Sequence, residues 1–215
     1  MPEKLAIVNG TVVGFTMPFI ENINFDLILK DASISNSQKI EYFRQIGSIL
    51  EKMKNVTRNT SISDFYLNDL HEANFILNLD TLKMNVVDID SCKINGNKTF
   101  ASKYLRSLNR MNSWPVKYKV VDENIVATEN TDLYCYIVMI LNFLYKGNIT
   151  ELSISEFFLY LDYLRSLGLP YEILECFSKI YENTDNQNIC EYLDLINDDI
   201  IHKSRKCVFQ KKLCK

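Results

Sequence analysis

The sequence contains few of the residues that interrupt regular structure and few that bind zinc. Its 215 residues include six glycines, four prolines and two histidines, and its six cysteines form no C-x-x-C pair. Because 47% of the residues are hydrophobic, the composition argues against a disordered chain, and the shortage of histidines argues against a zinc site. Residues 1–4 do not begin a signal peptide, so the scattered cysteines indicate free thiols, and we expect a cytoplasmic protein.

Charge and hydrophobic run length exclude two further classes of partner. A net charge of −3 predicts no general affinity for nucleic acid or for an anionic membrane. The strongest apolar run, Tyr134 to Tyr145, covers about a dozen residues, which is typical of a buried core helix and too short to span a bilayer. We therefore expect no nucleic-acid partner, no membrane partner and a single domain over residues 1–215.

Hydrophobic periodicity predicts an α+β fold that is mostly helical. Two strands at 5–8 and 12–20 are joined by Asn9-Gly10, a dipeptide that favours a tight hairpin turn. A helix from Asn36 or Ser37 to Lys54 contains Gly47, which we expect at a close helix contact, and a polar loop should follow at 55–63. The remaining predictions are a small hairpin at 116–126, an irregular or short helical segment at 92–110, and helices at 24–30, 132–145, 155–167, 170–181 and 188–201.

The segment 69–74, Asp-Leu-His-Glu-Ala-Asn, carries the strongest functional signal, together with Asp88. A turn at 79–83 between two apolar runs predicts a hairpin that would bring Asp88 back beside Asn74. Two oxygen ligands could then share a magnesium ion, while Asp69 orients an attacking hydroxyl. The alternative is a solvated loop with three scattered polar residues; the strand-turn-strand context favours a phosphotransfer site.

This segment resembles the catalytic core of the protein-kinase-like superfamily. The resemblance implies that Asp69 is the catalytic-loop aspartate and that Asn74 and Asp88 hold Mg²⁺. His71 stands where protein kinases usually carry a lysine, and the pattern D-L-H-x-x-N is closer to the aminoglycoside and choline kinase branch. For His71, a role facing the phosphate or substrate and a structural hydrogen bond both remain open.

Two further segments extend the resemblance over residues 5–145. Asp132 matches the aspartate that braces the backbone of the catalytic loop. Residues 12–21 resemble the strand and hinge that grip adenine, which implies that Met17 is the gatekeeper. The nucleotide-binding residues that the resemblance implies are Met17, Pro18, Phe19, Ile20 and Ile76.

Several family elements are absent from the sequence. Only about a dozen residues precede Val13, so there is no room for the Gly-rich loop, the β3 lysine and the αC glutamate. Residues 67–68 replace the usual His-Arg, and residues 89–90 replace the Phe-Gly of D-F-G. The resemblance therefore implies a partial domain, with residual N-lobe strands and hinge at 1–21 and a helical C-lobe at 22–215.

The function that the resemblance implies is ATP- and Mg²⁺-dependent phosphotransfer, with a Ser or Thr hydroxyl of a protein substrate as the first choice of acceptor. Without the missing elements we expect weak or no activity from this chain. Three alternatives remain: a pseudokinase that serves as a binding module, a small-molecule phosphotransferase of the aminoglycoside and choline kinase type, and a fragment whose N-lobe is completed by a partner.

Overall fold

The computed structural model describes residues 4–16, 19, 21–59, 61–62, 65–89, 92–95, 120–121, 124–125, 129–182 and 189–205. The fold is α+β and mostly helical, with small antiparallel sheets, so the predicted class is confirmed. None of the helices in these ranges is long and apolar enough to cross a membrane.

The chain begins with an antiparallel hairpin of β1 (Lys4–Val8) and β2 (Thr11–Thr16). Asn9 and Gly10 both have positive φ, at 51° and 77°, which is the backbone that a two-residue hairpin turn requires. The predicted hairpin is confirmed over these residues, although β2 ends at Thr16; residues 17, 18 and 20 lie outside the described part of the chain.

The second sheet has three antiparallel strands in the order β3-β5-β6. Its strands are β3 (Asn22–Asn24), β5 (Phe75–Asn78) and β6 (Lys83–Val86). The β5–β6 pair is the hairpin predicted from the turn at 79–83, which is confirmed, with Phe75 opposite Val86. A separate antiparallel pair joins β4 (Phe65–Tyr66) to β7 (Lys93–Ile94). Residues 93–94 therefore form a strand within the segment 92–110, which was predicted as irregular or helical. Residues 96–110 are not described.

Two helices follow β3. Helix α1 (Phe25–Lys30) is capped by Asn24, and helix α2 (Asn36–Asn59) is the longest in the described chain. The cap of α2 is Ser35 instead of Asn36 or Ser37, because Ser35 and Gln38 exchange side-chain and backbone hydrogen bonds in a capping box. The loop predicted at 55–63 is wrong for residues 55–59, where no glycine or proline interrupts the helix.

Beyond the small pair β8 (Val120–Val121) and β9 (Asn124–Ile125), which confirms the predicted hairpin over those residues, the described chain is helical. Its helices are α3 (Glu129–Tyr145), α4 (Ile154–Ser166), α5 (Tyr171–Glu182) and α6 (Asp198–Ser204). The single helix predicted at 188–201 is wrong. The chain forms a 3₁₀ segment at Ile189–Leu195 instead, and a new helix, α6, begins after Asn197. Asn197 caps α6 by accepting a hydrogen bond from the Ile200 backbone N–H.

Helix α3 lies at the centre of the core, and every residue from 134 to 141 is buried. The ring of Phe43 in α2 contacts two other core rings, with its centroid 5.0 Å from that of Phe25 and 5.6 Å from that of Phe143. Gly47 marks the predicted close contact: a Cβ there would lie 1.9 Å from the Cys190 Sγ and 2.8 Å from the Tyr136 hydroxyl oxygen. Helix α2 therefore lies close to both α3 and the 3₁₀ segment that contains Cys190.

Candidate functional site

The candidate site is the loop at residues 67–74, which we call the acidic loop. Strand β4 leads into the loop and β5 leads out of it, so each end is fixed by an antiparallel pair. A 3₁₀ turn at Glu72–Asn74 closes the loop immediately before β5. The acidic loop therefore lies between two small sheets and against the start of α3.

Asp132, in the first turns of α3, holds the beginning of the acidic loop. Its carboxylate accepts hydrogen bonds from the backbone N–H groups of Leu67 at 2.7 Å and Asn68 at 2.9 Å. Asn68 has a left-handed backbone with φ of 63°, so the carboxylate satisfies two donors where the chain turns sharply. Burial raises the pKa of Asp132 to about 7, and the two backbone hydrogen bonds oppose that rise.

Asn74 closes the acidic loop from the other end. Its Nδ2 donates to the Asp69 carbonyl oxygen at 3.0 Å, and its backbone N–H donates to the His71 carbonyl oxygen at 3.0 Å. Because the amide nitrogen faces a carbonyl acceptor, Oδ1 is the atom of this buried side chain that suits a cation. The Asn74 side chain is thus hydrogen-bonded directly to the backbone of Asp69.

Asp88 is brought back to the loop by the β5–β6 hairpin. The Val87 N–H donates to the Asn74 carbonyl oxygen at 2.8 Å, so Asp88 follows the residue that is bonded to Asn74. Asp88 has a positive φ of 56°, a conformation in which aspartate is several-fold enriched among non-glycine residues. The hairpin thus places the backbone of the two predicted metal ligands side by side.

His71 and Asp69 face each other within the loop. The His71 Nδ1 accepts a hydrogen bond from the Ala73 N–H at 3.2 Å, which caps the 3₁₀ turn. The His71 Nε2 lies 3.8 Å from the Asp69 Oδ2, and both side chains are partly exposed. Solvent can therefore reach the carboxylate that was predicted to act on an acceptor hydroxyl.

The residues predicted to bind a nucleotide are only partly described. Met17, Pro18 and Ile20 lie outside the described residues, and the side chain of Phe19 is 93% exposed. Ile76 is buried in β5, opposite Asn24 and Asn85 of the neighbouring strands. In the described part of the chain, Ile76 is thus the one predicted nucleotide-binding side chain that belongs to the packed sheet.

Sequence reasoning did not identify Asn24 as a residue of the site. Its Oδ1 accepts from the Asp26 N–H at 3.0 Å, which caps α1, and its Nδ2 donates to the Ala73 carbonyl oxygen at 3.2 Å. One side chain therefore ties both β3 and α1 to the acidic loop across 49 positions of sequence. The capping preference of asparagine could have suggested the first contact, but no local signal indicates the second.

The donors suit a magnesium ion that is shared with phosphates better than a metal held by protein alone. Among the described residues, no three His, Cys, Asp or Glu side chains lie close enough together to hold a metal ion. Asn74 and Asp88 supply one amide and one carboxylate, and Mg²⁺ commonly binds one or two such groups while water and substrate phosphates complete its octahedron. One amide and one carboxylate are thus donor types compatible with a Mg²⁺ ion that phosphates also bind.

Comparisons with known proteins do not assign the chain to a family. No family model matches the chain, and no curated protein matches it. The chemistry of the site consequently has to be inferred from its own contacts.

Proposed function

We propose that this chain carries a kinase-type phosphotransfer site on a fold that resembles a protein-kinase-like C-lobe. One observation carries the proposal: Asp132 and Asn74 hold the two ends of the acidic loop, and the β5–β6 hairpin returns Asp88 to Asn74. A loop that is fixed at both ends keeps its carboxylates in one geometry, which phosphotransfer requires because positioning and electrostatics supply most of its catalysis.

Each residue has a chemical role in this proposal. Asp69 accepts a hydrogen bond from the acceptor hydroxyl, and its partial exposure leaves it open to that group. Asn74 and Asp88 would hold Mg²⁺, which would neutralise charge on the phosphates of bound ATP. Asp132 keeps the loop backbone in place. The segment 17–20 and Ile76 are the residues that would contact the adenine.

The acceptor that we favour is a Ser or Thr hydroxyl of a protein, with a small-molecule hydroxyl as the alternative that the D-L-H-x-x-N pattern suggests. A second function, that of a fragment completed by a partner, is favoured by the N-terminal hairpin. Leu5, Ile7, Val8, Val12 and Val13 are each 55–64% exposed there, which is unusual for apolar residues that occupy two neighbouring strands.

Thermal unfolding with ATP and magnesium tests the proposed site. A ligand that binds only the folded chain stabilises it by about 2.7 kcal/mol at a hundredfold excess over Kd. We expect a Mg²⁺-dependent rise of the melting temperature that Asp88→Ala abolishes. Asp80→Ala is the matched control, because Asp80 is exposed in the turn of the same hairpin and should change nothing.

Two results would decide against this assignment. An equal rise in the Asp88→Ala variant would remove Asp88 from the site. A cooperatively unfolding chain without any rise would exclude nucleotide binding and favour the pseudokinase alternative.

A further inference from the structure

We propose that His71 is a positioning residue for Asp69: its Nδ1 accepts a hydrogen bond from the backbone, and its Nε2–H attracts one oxygen of the Asp69 carboxylate. The inference rests on the proposed function, because it explains how Asp69 would present its other oxygen to an acceptor hydroxyl. It adds a contact with Asp69 to the structural hydrogen bond, one of the two roles that the sequence leaves open for this histidine.

The hydrogen bond to Ala73 fixes the tautomer of the imidazole. A ring nitrogen that accepts a hydrogen bond uses its in-plane lone pair and carries no proton, so in the neutral ring the proton lies on Nε2. The Ala73 N–H at 3.2 Å from Nδ1 therefore assigns the donor role to Nε2. Nδ1 is thus occupied by the hydrogen bond at the start of the 3₁₀ turn.

The Nε2 side of the ring faces Asp69. Its distance of 3.8 Å from Oδ2 exceeds that of a direct hydrogen bond, but it is short enough for an N–H dipole to attract a carboxylate. With Oδ2 on the side of His71, Oδ1 is the oxygen that we assign to the acceptor hydroxyl.

Hydrogen bonds within the loop fix the backbone positions of His71 and Asp69 relative to each other. Asn74 bonds to both residues at once, through Nδ2 to the Asp69 carbonyl oxygen and through its N–H to the His71 carbonyl oxygen. The two side chains therefore start from backbone positions that one buried residue fixes. A flexible loop would not hold an imidazole and a carboxylate in one relative orientation.

Two substitutions separate the two nitrogens of His71. His71→Asn places a side-chain oxygen where Nδ1 caps the turn, but the side chain is too short to reach Asp69. His71→Gln extends an amide toward the Nε2 position and gives up the cap. We expect His71→Asn to melt close to wild type, and His71→Gln to melt about 3 °C lower because it lacks the cap.

The decisive readout is the side-chain rotamer of Asp69, from three-bond NMR couplings in the nucleotide-free chain. We expect one rotamer in wild type, averaged rotamers in His71→Asn and a restored single rotamer in His71→Gln, a pattern that a purely structural role would not produce. A single rotamer in His71→Asn, or averaging in wild type, would overturn the proposal.

The tautomer can be measured in the same samples. The chain has only two histidines, so His202→Gln assigns both rings in a long-range ¹H–¹⁵N correlation spectrum at pH 8.5, where free imidazole is neutral. The Nε2–H tautomer is expected for His71, and the Nδ1–H tautomer would contradict the argument. If Mg²⁺ and ATP fail to stabilise wild type, the proposed function falls, while the couplings and tautomer still judge the role of His71.

Discussion

The acidic loop and the N-terminal hairpin are both short segments with left-handed turn residues, but the rest of the chain supports them differently. The acidic loop is bonded by Asp132 from α3, by Asn24 from the end of β3 and by Val87 after β6. The hairpin of β1 and β2 instead leaves five large apolar side chains more than half exposed.

The comparison distinguishes a segment that the rest of the chain stabilises, the acidic loop, from one that exposes apolar side chains to solvent, the N-terminal hairpin. A two-stranded hairpin is marginally stable in water unless something covers its apolar face. The acidic loop is instead bonded at its start by the buried Asp132 side chain and near its end by the buried Asn74 side chain. Substitutions should therefore affect stability strongly behind the loop and weakly in the hairpin.

The largest effect is expected for Asp132→Ala. It leaves the buried N–H groups of Leu67 and Asn68 without their acceptor, and each such loss costs about 1–3 kcal/mol, so we expect a loss of about 4 kcal/mol in urea denaturation at pH 6. Asp162→Ala is the control, since Asp162 is exposed on α4 and forms only a surface pair with Arg165. A loss below 1 kcal/mol in Asp132→Ala would mean that the loop does not depend on this brace.

The next effect is a pH dependence due to the same carboxyl. Because its pKa rises from 3.8 to about 7 on folding, the folded chain binds the proton more tightly, and this stabilisation is complete below about pH 4 and lost as the pH rises through 7. Relative to Asp132→Asn, which cannot titrate, the free energy of unfolding of wild type should fall by about 3 kcal/mol between pH 4 and pH 7. Parallel curves for the two proteins would show that the pKa of Asp132 is not raised.

A smaller effect is expected for Gly47→Ala behind the loop. The added methyl group would lie 1.9 Å from the Cys190 Sγ, and overpacking of this kind costs about 2 kcal/mol. Cys190→Ala in the same chain should recover part of the loss, because the contact with the Tyr136 hydroxyl oxygen remains. Ser48→Ala, at an exposed neighbouring position of α2, is the control. Equal stability of Gly47→Ala and this control would place α2 further from Cys190 and Tyr136.

The smallest effect is expected in the hairpin. Ile7→Thr should change the free energy of unfolding by less than about 0.5 kcal/mol, because the Ile7 side chain is 59% exposed. The matched substitution Ile46→Thr in α2 removes a fully buried side chain and should cost about 2 kcal/mol or more. If Ile7→Thr costs as much as Ile46→Thr, the hairpin is packed in solution and the contrast between the two regions fails.

Local signals in the sequence predicted the elements well and their long-range pairing poorly. The Asn9-Gly10 turn, the hairpin at 75–86 and the burial of 134–145 follow from turn chemistry and hydrophobic runs. The pairing of β4 with β7 joins strands of two residues, which are too short to carry a pattern, and the Asn24–Ala73 contact spans 49 positions. The break at Asn197 shows a capping side chain prevailing over a periodic pattern.

The central claim is that Asn74 and Asp88 hold the same magnesium ion, and a double-mutant cycle in titration calorimetry with ATP tests it most directly. We predict that wild type binds ATP more tightly with magnesium than with EDTA. Asn74→Ala and Asp88→Ala should each reduce the magnesium-dependent increase in ATP affinity about tenfold. The double variant should lose no more affinity than the single variant that binds ATP more weakly. Losses that add fully, or binding of ATP that is indifferent to magnesium in wild type, would contradict the claim.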